Sequence, residues 1–497
     1  MTAHSRAWIA IAVLIVSACG RTAIDDNALV ESPDAAANAN AMDGASQDAP
    51  SDRDAMAQDV TTAMGAGGAS VFDASTDAID APVLDPDATT VDGGDGEGGV
   101  SEAAADATVS VSADAQTIDA ADGEVVEGGP DVAPSTGSSD GACAWTLIRG
   151  QDISTGSGGP LSGAIGDLNG DSKQDVVVAD PNGNSAGVFL GRGNGTFQPA
   201  VSYPAGMSPW SVAIADLNGD RHPDLVVPNF LYGVTATVSV LMGRGDGTFG
   251  VAAPYSVGVD PESVVVGDLN GDGHPDLIVS NWLDATLSVL LGHGDGTFGP
   301  QTTYPAYWSA GPAALGDLNG DGKLDVVVAD TRTFDGPSGV VSVLLGNGDG
   351  TLKPRVLLNA GFDPSFVAMG DLNGDGRLDL VVADSASYAA EVLLGNGDGT
   401  FQAYTQWPAG KLPASVAIAD LNADGAPDLA LTNSEDGTLS VLLGNGDGTF
   451  APQVTFATDP SPGTVAAGDL NGDGYADLAV GLSGSSAVDI FLSRCAR

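Results

Sequence analysis

Residues 268–276 read Asp-Leu-Asn-Gly-Asp-Gly-His-Pro-Asp, and this acidic stretch decides the fold because it recurs along the chain. The pattern Asp-Leu-Asn-x-Asp-x-x-x-Asp begins at Asp167, Asp216, Asp268, Asp317, Asp371, Asp420 and Asp469. The spacings are 49, 52, 49, 54, 49 and 49 residues. A repeat of this length, with β-forming runs around each copy, is typical of propeller blades and not of a helical solenoid.

Each repeat unit predicts four short strands. In the third unit, residues 262–267, 276–280 and 286–291 are β-branched runs, and the equivalent of the fourth strand carries Tyr255. The turn at 292–298, Gly-His-Gly-Asp-Gly-Thr-Phe, is a strong hairpin signal, because glycine accepts the positive φ of tight turns. Aromatic residues recur at fourth-strand positions and are predicted to be core. These are Tyr203, Tyr255, Tyr304, Trp407 and Phe456.

The seventh unit ends before a fourth strand of its own, while residues 145–149 form a spare strand before the first unit. Placing that strand in the last blade closes the ring and leaves only short, protected edges. The sequence therefore predicts an all-β, seven-bladed β-propeller over residues 143–497, closed by an N-terminal strand.

The seven acidic stretches and their turns resemble the FG-GAP, or VCBS, repeat family, which includes the propellers of integrin α subunits. The resemblance covers about residues 143–497. It implies that each acidic loop joins the first and second strands of a blade and binds Ca²⁺.

Ligand chemistry supports a calcium site in each loop. Oxygen ligands at positions 1, 3, 5 and 9 of a tight loop suit one hard cation. The candidate ligands are Asp167, Asn169, Asp171, Asp175, Asp216, Asn218, Asp220, Asp224, Asp268, Asn270, Asp272, Asp276, Asp317, Asn319, Asp321, Asp325, Asp371, Asn373, Asp375, Asp379, Asp420, Asn422, Asp424, Asp428, Asp469, Asn471, Asp473 and Asp477. The alternative, that Asp and Asn only favour turns, explains one loop better than seven.

Three loops depart from the pattern, so up to seven Ca²⁺ ions are predicted. The loops that begin at Asp167, Asp216 and Asp420 carry Ser172, Arg221 and Ala423 where other loops have glycine. These three loops are expected to bind more weakly or to be empty.

The N-terminal third of the chain has a different composition. Residues 1–18 have the short apolar run of a signal peptide, and Val16-Ser17-Ala18-Cys19 resembles the lipobox of bacterial lipoproteins, which implies lipidation of Cys19. An ordinary signal peptide with an incidental cysteine is the alternative. Residues 19–142 are rich in Asp, Ala and Gly and have few aromatic residues, so they are predicted to be a disordered acidic linker. Together these features predict an exported chain, lipid-anchored at the outer membrane or cell surface of a bacterium.

The two other cysteines, Cys143 and Cys495, flank the predicted repeat region. In an oxidising compartment they are predicted to form a disulfide across the seam of the ring, and two unpaired thiols are the alternative.

The net charge of −50 excludes the basic surface that nucleic acids require, and membrane contact is predicted only through the lipid anchor. No nucleophile–base pair or zinc spacing is present, so a non-catalytic module is predicted. Its ligand would be a protein or a glycan, and the chain would be a monomer. A calcium-dependent carbohydrate-active enzyme, similar to propeller polysaccharide lyases, and a purely structural envelope protein are the alternatives.

Five aromatic residues do not recur between units and lie between strands 2 and 3 or between blades. They are predicted to form the ligand face, with local packing under loops as the alternative. These are Trp210, Tyr232, Trp282, Tyr307 and Trp308.

Overall fold

The computed structural model describes residues 144–496 except 157–158, 160, 234 and 331–338. In this part of the chain, all named secondary-structure elements are β-strands. None of these residues belongs to a helix long and apolar enough to cross a membrane. The predicted signal peptide, Cys19, the linker 19–142 and Cys143 lie outside the described residues.

The chain enters the fold through two strands that precede the first repeat, and the next twelve strands form three blades. The entering strands are β1 (Ala144–Arg149) and β2 (Ile153–Ser154). Blade 1 contains β3 (Ser162–Gly166), β4 (Asp175–Asp180), β5 (Ser185–Phe189) and β6 (Val201–Pro204). Blade 2 contains β7 (Ala213–Ala215), β8 (Asp224–Asn229), β9 (Thr235–Leu241) and β10 (Ala253–Val259). Blade 3 contains β11 (Pro261–Gly267), β12 (Asp276–Asn281), β13 (Thr286–Leu290) and β14 (Thr302–Pro305).

Three more blades repeat this antiparallel four-stranded order. Blade 4 contains β15 (Ala310–Gly316), β16 (Asp325–Asp330), β17 (Val340–Leu344) and β18 (Val356–Asn359). Blade 5 contains β19 (Pro364–Gly370), β20 (Asp379–Asp384), β21 (Ala389–Leu393) and β22 (Thr405–Pro408). Blade 6 contains β23 (Pro413–Ala419), β24 (Asp428–Asn433), β25 (Thr438–Leu442) and β26 (Val454–Ala457).

Blade 7 closes the ring. Its first three strands are β27 (Pro462–Gly468), β28 (Asp477–Leu482) and β29 (Ala487–Ala496), and β1 is its outer strand, antiparallel to β29. The inner strand of each blade lies against the inner strand of the next, and β27 lies against β3. The predicted seven-bladed propeller and its closure by the strand at 145–149 are both confirmed.

The core lies between the blades. The second strand of every blade is buried along its whole length, and the described residues contain seven apolar clusters, one at each interface between neighbouring blades. These strands are buried on both faces, which explains their nearly continuous apolar runs. Each fully buried Leu or Val contributes about 1.5–3 kcal/mol.

The recurring fourth-strand aromatics bridge neighbouring blades. Tyr203 of blade 1 packs edge-on against Phe249 in the turn of blade 2, with ring centroids 5.2 Å apart. Blade 7 lacks this turn, and Trp145 of β1 instead packs edge-on against Phe456 of blade 6, at 6.0 Å. Phe456 is buried, and the other four predicted core aromatics are partly buried against the clusters.

Candidate metal loops and binding face

The seven acidic loops lie at one end of the propeller, which we name the loop face. Each loop joins the first strand of its blade to the second. Because the strands are antiparallel, the turn between strands 3 and 4 lies on the same face. The connections between strands 2 and 3, and from one blade to the next, lie at the other end, which we name the opposite face.

Within each loop, the first three ligand positions are held by hydrogen bonds to loop amides. In blade 3, the carboxylate of Asp268 accepts the N–H groups of Gly271 at 2.7 Å and Gly273 at 2.8 Å. Asn270 Oδ1 accepts the N–H of Asp272 at 2.8 Å. These bonds wind the chain around the side-chain oxygens, so the loop shape is encoded by the acidic residues themselves.

The aspartate at position 9 has a different environment, because it is fully buried in all seven blades. In blade 3, one oxygen of Asp276 accepts the N–H of Leu269 at 2.9 Å, and the other accepts the N–H of Gly292 at 2.7 Å. The second bond ties the acidic loop to the turn between strands 3 and 4. In blade 7, where that turn is missing, Asp477 accepts the N–H of Ser493 instead.

The turn glycine whose N–H donates this bond is required by close approach. A Cβ atom at Gly292 would lie 2.1 Å from the carbonyl oxygen of Pro275, the residue just before Asp276. The first glycine of the other five turns meets the same obstacle. The repeated turn and the repeated loop therefore form one unit.

The position-9 carboxyl groups have pKa values well above the usual value for aspartate. Burial is the largest cause that raises the pKa of Asp276 to about 6, and the charges of Asp272 and Asp268 raise it further, while its two backbone bonds lower it. The same causes raise the pKa of Asp428 to about 7 and that of Asp477 to about 8. Each loop thus holds three carboxylates close enough to repel one another.

The donor set of each loop fits a hard divalent cation, since it consists of carboxylate and amide oxygens with mutually repelling charges. The loop carboxylates do not, however, bring oxygens of all three groups within 4.8 Å of one another. Among the described residues only Asp152, Asp459 and Asp489 do so. Arg149 Nη2 lies 2.8 to 3.1 Å from an oxygen of each, so a guanidinium already holds the cation position of that cluster.

The three atypical loops keep the common shape. Ser172, Arg221 and Ala423 adopt φ values of 62°, 66° and 57°, where the other loops have glycine. The N–H of Ser172 still bonds to Asp167, and that of Arg221 to Asp216, at 2.7 and 2.8 Å. These residues therefore carry left-handed backbone strain of the order of 1 kcal/mol that glycine avoids.

On the opposite face, the five predicted aromatics have different environments. Tyr232 and Trp308 are exposed, at 54% and 46%, whereas Trp282 is only 6% exposed and belongs to the core. Trp210 is half-buried and stacks on Phe230, with centroids 4.6 Å apart. Tyr307 is also half-buried and packs edge-on against Trp308.

Sequence reasoning missed four other exposed apolar side chains in these connections, Met207, Leu283, Phe362 and Tyr388. Met207 and Leu283 are not aromatic, whereas Phe362 and Tyr388 are non-recurring loop aromatics that the same criterion could have identified. With Tyr232 and Trp308, these four side chains form what we name the apolar arc, which extends over blades 1–5. In blade 6 the same connections instead expose the charged residues Lys411, Glu435 and Asp436.

Several solved structures are similar to this chain at low sequence identity. An Agrocybe aegerita lectin that recognises non-reducing terminal N-acetylglucosamine shares 21% identity, with 68% of this chain and 85% of the lectin covered and a TM-score of 0.45. BBS1N, solved in complex with ARL6DN, shares 13% identity, with 70% and 96% covered and a TM-score of 0.48. A catalytically inactive virginiamycin B lyase from Staphylococcus aureus shares 10% identity, with 70% and 99% covered and a TM-score of 0.47.

No curated protein sequence matches this chain. A family model does: the FG-GAP-like repeat matches residues 139–227, 229–279, 280–328, 317–382, 371–431 and 420–480, which together span well over half of the chain. The chain therefore belongs to the FG-GAP-like repeat family.

Proposed function

We propose that this protein is a calcium-binding, non-catalytic surface module that binds a protein or glycan through its opposite face. The observation that carries the proposal is the apolar arc: six exposed apolar side chains lie in the connections of one face, in a chain of net charge −50. Exposed apolar side chains in the connecting loops of one face are candidate contacts for a ligand. An FG-GAP propeller fold suits a binding or adhesion role.

Calcium has a structural role in this proposal. The side chains at positions 1, 3, 5 and 9 of each loop would hold the ion, and its charge would offset the burial and the mutual repulsion that raise the pKa of the buried aspartates. Because position 9 also bonds to the turn, calcium would stiffen the loop face without taking part in ligand contacts.

Export and anchoring complete the proposal. Cys19 would carry the lipid, and the 124 residues from 19 to 142 would hold a monomeric propeller away from the membrane. Metabolic labelling with a fatty acid tests this directly: label should enter the wild-type chain and not a Cys19→Ala chain. Equal labelling of the two chains would refute lipidation at Cys19.

The binding role is tested by screening the full chain on a glycan array and on immobilised surface proteins, together with a polysaccharide-degradation assay. We expect binding without turnover, and loss of binding in a Tyr232→Ser/Trp308→Ser variant. The matched control is Val251→Ser/Val356→Ser, which removes apolar side chains that are 95% and 64% exposed outside these connections. Polysaccharide turnover would instead support an enzymatic function. Equal binding by the two variants would refute the opposite face as the ligand-binding surface.

A further inference from the structure

The inner strands of blades 3 to 7 share an irregularity near the opposite face. In blades 3, 5, 6 and 7, one residue of the inner strand has no partner on the second strand, which is the mark of a β-bulge. The bulged residues are Glu262, Ser365, Ala414 and Gly463. Glu262 is therefore a long acidic side chain at a position that is otherwise small, and bulges commonly re-aim a side chain beside a functional site.

The carboxyl group of Glu262 is buried and incompletely satisfied. The residue is 7% exposed, and one oxygen accepts the indole N–H of Trp210, while Oε2 has no partner among the described residues. Burial is the main cause that raises the pKa of Glu262 to about 8. An unpaired buried carboxyl oxygen is costly in either protonation state, so its retention calls for a partner that the chain itself does not supply.

A second unsatisfied acceptor lies at the same end of blade 2. Asn229 is 1% exposed, and its Oδ1 has no partner, whereas the equivalent Asn281 in blade 3 accepts the N–H of Gly258 at 3.0 Å. Asn229 pairs with Pro209, next to Trp210. Blade 2 therefore lacks a hydrogen bond that its neighbour makes, close to the residue that contacts Glu262.

Aromatic rings connect this region to solvent. Trp210 stacks on Phe230, and Phe230 packs edge-on against Tyr232, with ring centroids 5.2 Å apart. Tyr232 is 54% exposed. Asp260, two residues before Glu262, accepts the N–H of Gly233 with both carboxylate oxygens, at 3.0 and 3.2 Å, and so fixes the Tyr232 connection beside β11. Residues 205–212 and 230–233 contain no charged side chain.

With Glu262 ionised, both unsatisfied groups are acceptors, so their partner must bring donors, and a cation beside the carboxylate would lower its raised pKa. An ammonium group offers three donors and no acceptor, and the faces of Trp and Tyr rings attract it. A sugar hydroxyl can also donate, but it brings no positive charge to stabilise the buried carboxylate. We propose that Glu262, Asn229, Trp210 and Tyr232 form a pocket that binds a protonated alkyl amine, such as a lysine side chain of a protein ligand. This inference rests on the proposed function, since it specifies what the opposite face recognises.

The test compares two probes that differ only in the amine, Nα-acetyl-lysine N-methylamide and Nα-acetyl-norleucine N-methylamide. The full chain is labelled with ¹⁵N in its tryptophan indoles, and the Trp210 signal is assigned from a Trp210→Phe chain. Because the Trp210 N–H bonds to Glu262, we expect the lysine probe to shift this signal saturably and to bind at least about tenfold more tightly than the norleucine probe.

Two variants provide the control. Glu262→Gln should lower the affinity for the lysine probe at least about tenfold. Glu391→Gln should leave it unchanged, although Glu391 in blade 5 is also buried and also has an unsatisfied Oε2. If Glu262→Gln does not fold, as judged by its circular dichroism spectrum, the ratio of the two probes on the wild-type chain decides the question.

The proposal is overturned if the two probes shift the Trp210 signal alike, if the lysine probe shifts nothing up to its solubility limit, or if folded Glu262→Gln binds as the wild type does. These results would leave the binding role of the opposite face intact wherever Tyr232→Ser/Trp308→Ser still abolishes array binding. Only unchanged array binding in that double variant would refute the opposite face as the ligand-binding surface.

Discussion

The two faces of the propeller are built from the same strands but follow opposite rules. On the loop face, every blade repeats one unit, in which a buried aspartate joins the acidic loop to the turn or, in blade 7, to Ser493. On the opposite face, the connections differ from blade to blade, and the exposed apolar side chains lie in blades 1–5. The comparison indicates that repetition secures the ring, whereas departures from it provide surface for recognition.

Calcium should produce the largest difference between the faces. If each loop binds with a dissociation constant of about 1 mM, then 10 mM Ca²⁺ adds about 1.4 kcal/mol per loop, or about 10 kcal/mol for seven. Thermal melts of the full chain in Ca²⁺ and in a chelator should therefore differ by many degrees, with Mg²⁺ as the control ion. Identical melts would contradict a structural role for calcium, because the loop face would then hold its shape without metal.

The seam of blade 7 should produce the next largest effect. A Cys143–Cys495 disulfide would close a loop of about 350 residues, worth about 5–6 kcal/mol as an upper bound in the chain-entropy model. Cys495 lies in β29 directly opposite Trp145, and Cys143 lies outside the described residues. Cys495→Ser should lower the free energy of unfolding, and the intact mass without reductant should be lower by two hydrogens than with it. Two alkylatable thiols in the unreduced chain would contradict the bridge.

The buried aspartates should matter more than their exposed neighbours even without metal. Asp276→Ala leaves the N–H groups of Leu269 and Gly292 unpaired, at a cost of about 2–5 kcal/mol. Asp272→Ala, at exposed position 5, should cost less than about 0.5 kcal/mol. Urea unfolding in a chelator measures both, and equal costs would refute the role assigned to position 9.

Glu391, which is buried in β21 of blade 5, should make stability depend on pH. Burial is the main cause that raises its pKa to about 7 from the usual 4.5, so the folded chain holds a proton that the unfolded chain releases between these values. The folded state therefore loses stability as pH rises from about 4.5 to 7, by about 2–3 kcal/mol. Buried aspartates such as Asp276 contribute losses over the same range, so Glu391→Gln should reduce the total loss by about 2–3 kcal/mol without abolishing it, as measured by urea titrations at the two pH values. A variant with the wild-type pH dependence would contradict this account.

The smallest effect on stability should come from the apolar arc. Tyr232→Ser and Trp308→Ser remove exposed side chains, so each should change the free energy of unfolding by about 0.5 kcal/mol or less. The same changes should abolish ligand binding. A large loss of stability would mean that the arc supports the fold and would weaken its assignment as a binding surface.

The architecture could be predicted because the acidic repeat pattern occurs seven times in the sequence. The number of copies predicted the number of blades, and the incomplete seventh unit indicated where residues 145–149 must pair. The third-unit strands predicted at 262–267 and 276–280 are observed as Pro261–Gly267 and Asp276–Asn281. Repetition averages out local ambiguity, which is why these boundaries agree so closely.

Features that occur once could not be predicted in the same way. Trp282 and Tyr232 follow the same strand in neighbouring blades, yet one is buried and the other exposed, because burial of a loop side chain depends on how adjacent connections pack. Nothing in the sequence distinguished Glu262 from a surface acid, since its burial follows from a bulge that only the strand pairing reveals. The bonds of the position-9 aspartates to the turns required three-dimensional proximity as well.

Equilibrium dialysis of the full chain, which counts bound calcium, tests the seven proposed metal loops most directly. We expect between four and seven ions per chain, the lower value if only the loops with glycine at positions 4 and 6 bind, and one ion fewer in an Asp268→Ala/Asp272→Ala chain. No bound calcium, or a count that this double substitution leaves unchanged, would contradict the proposed metal loops.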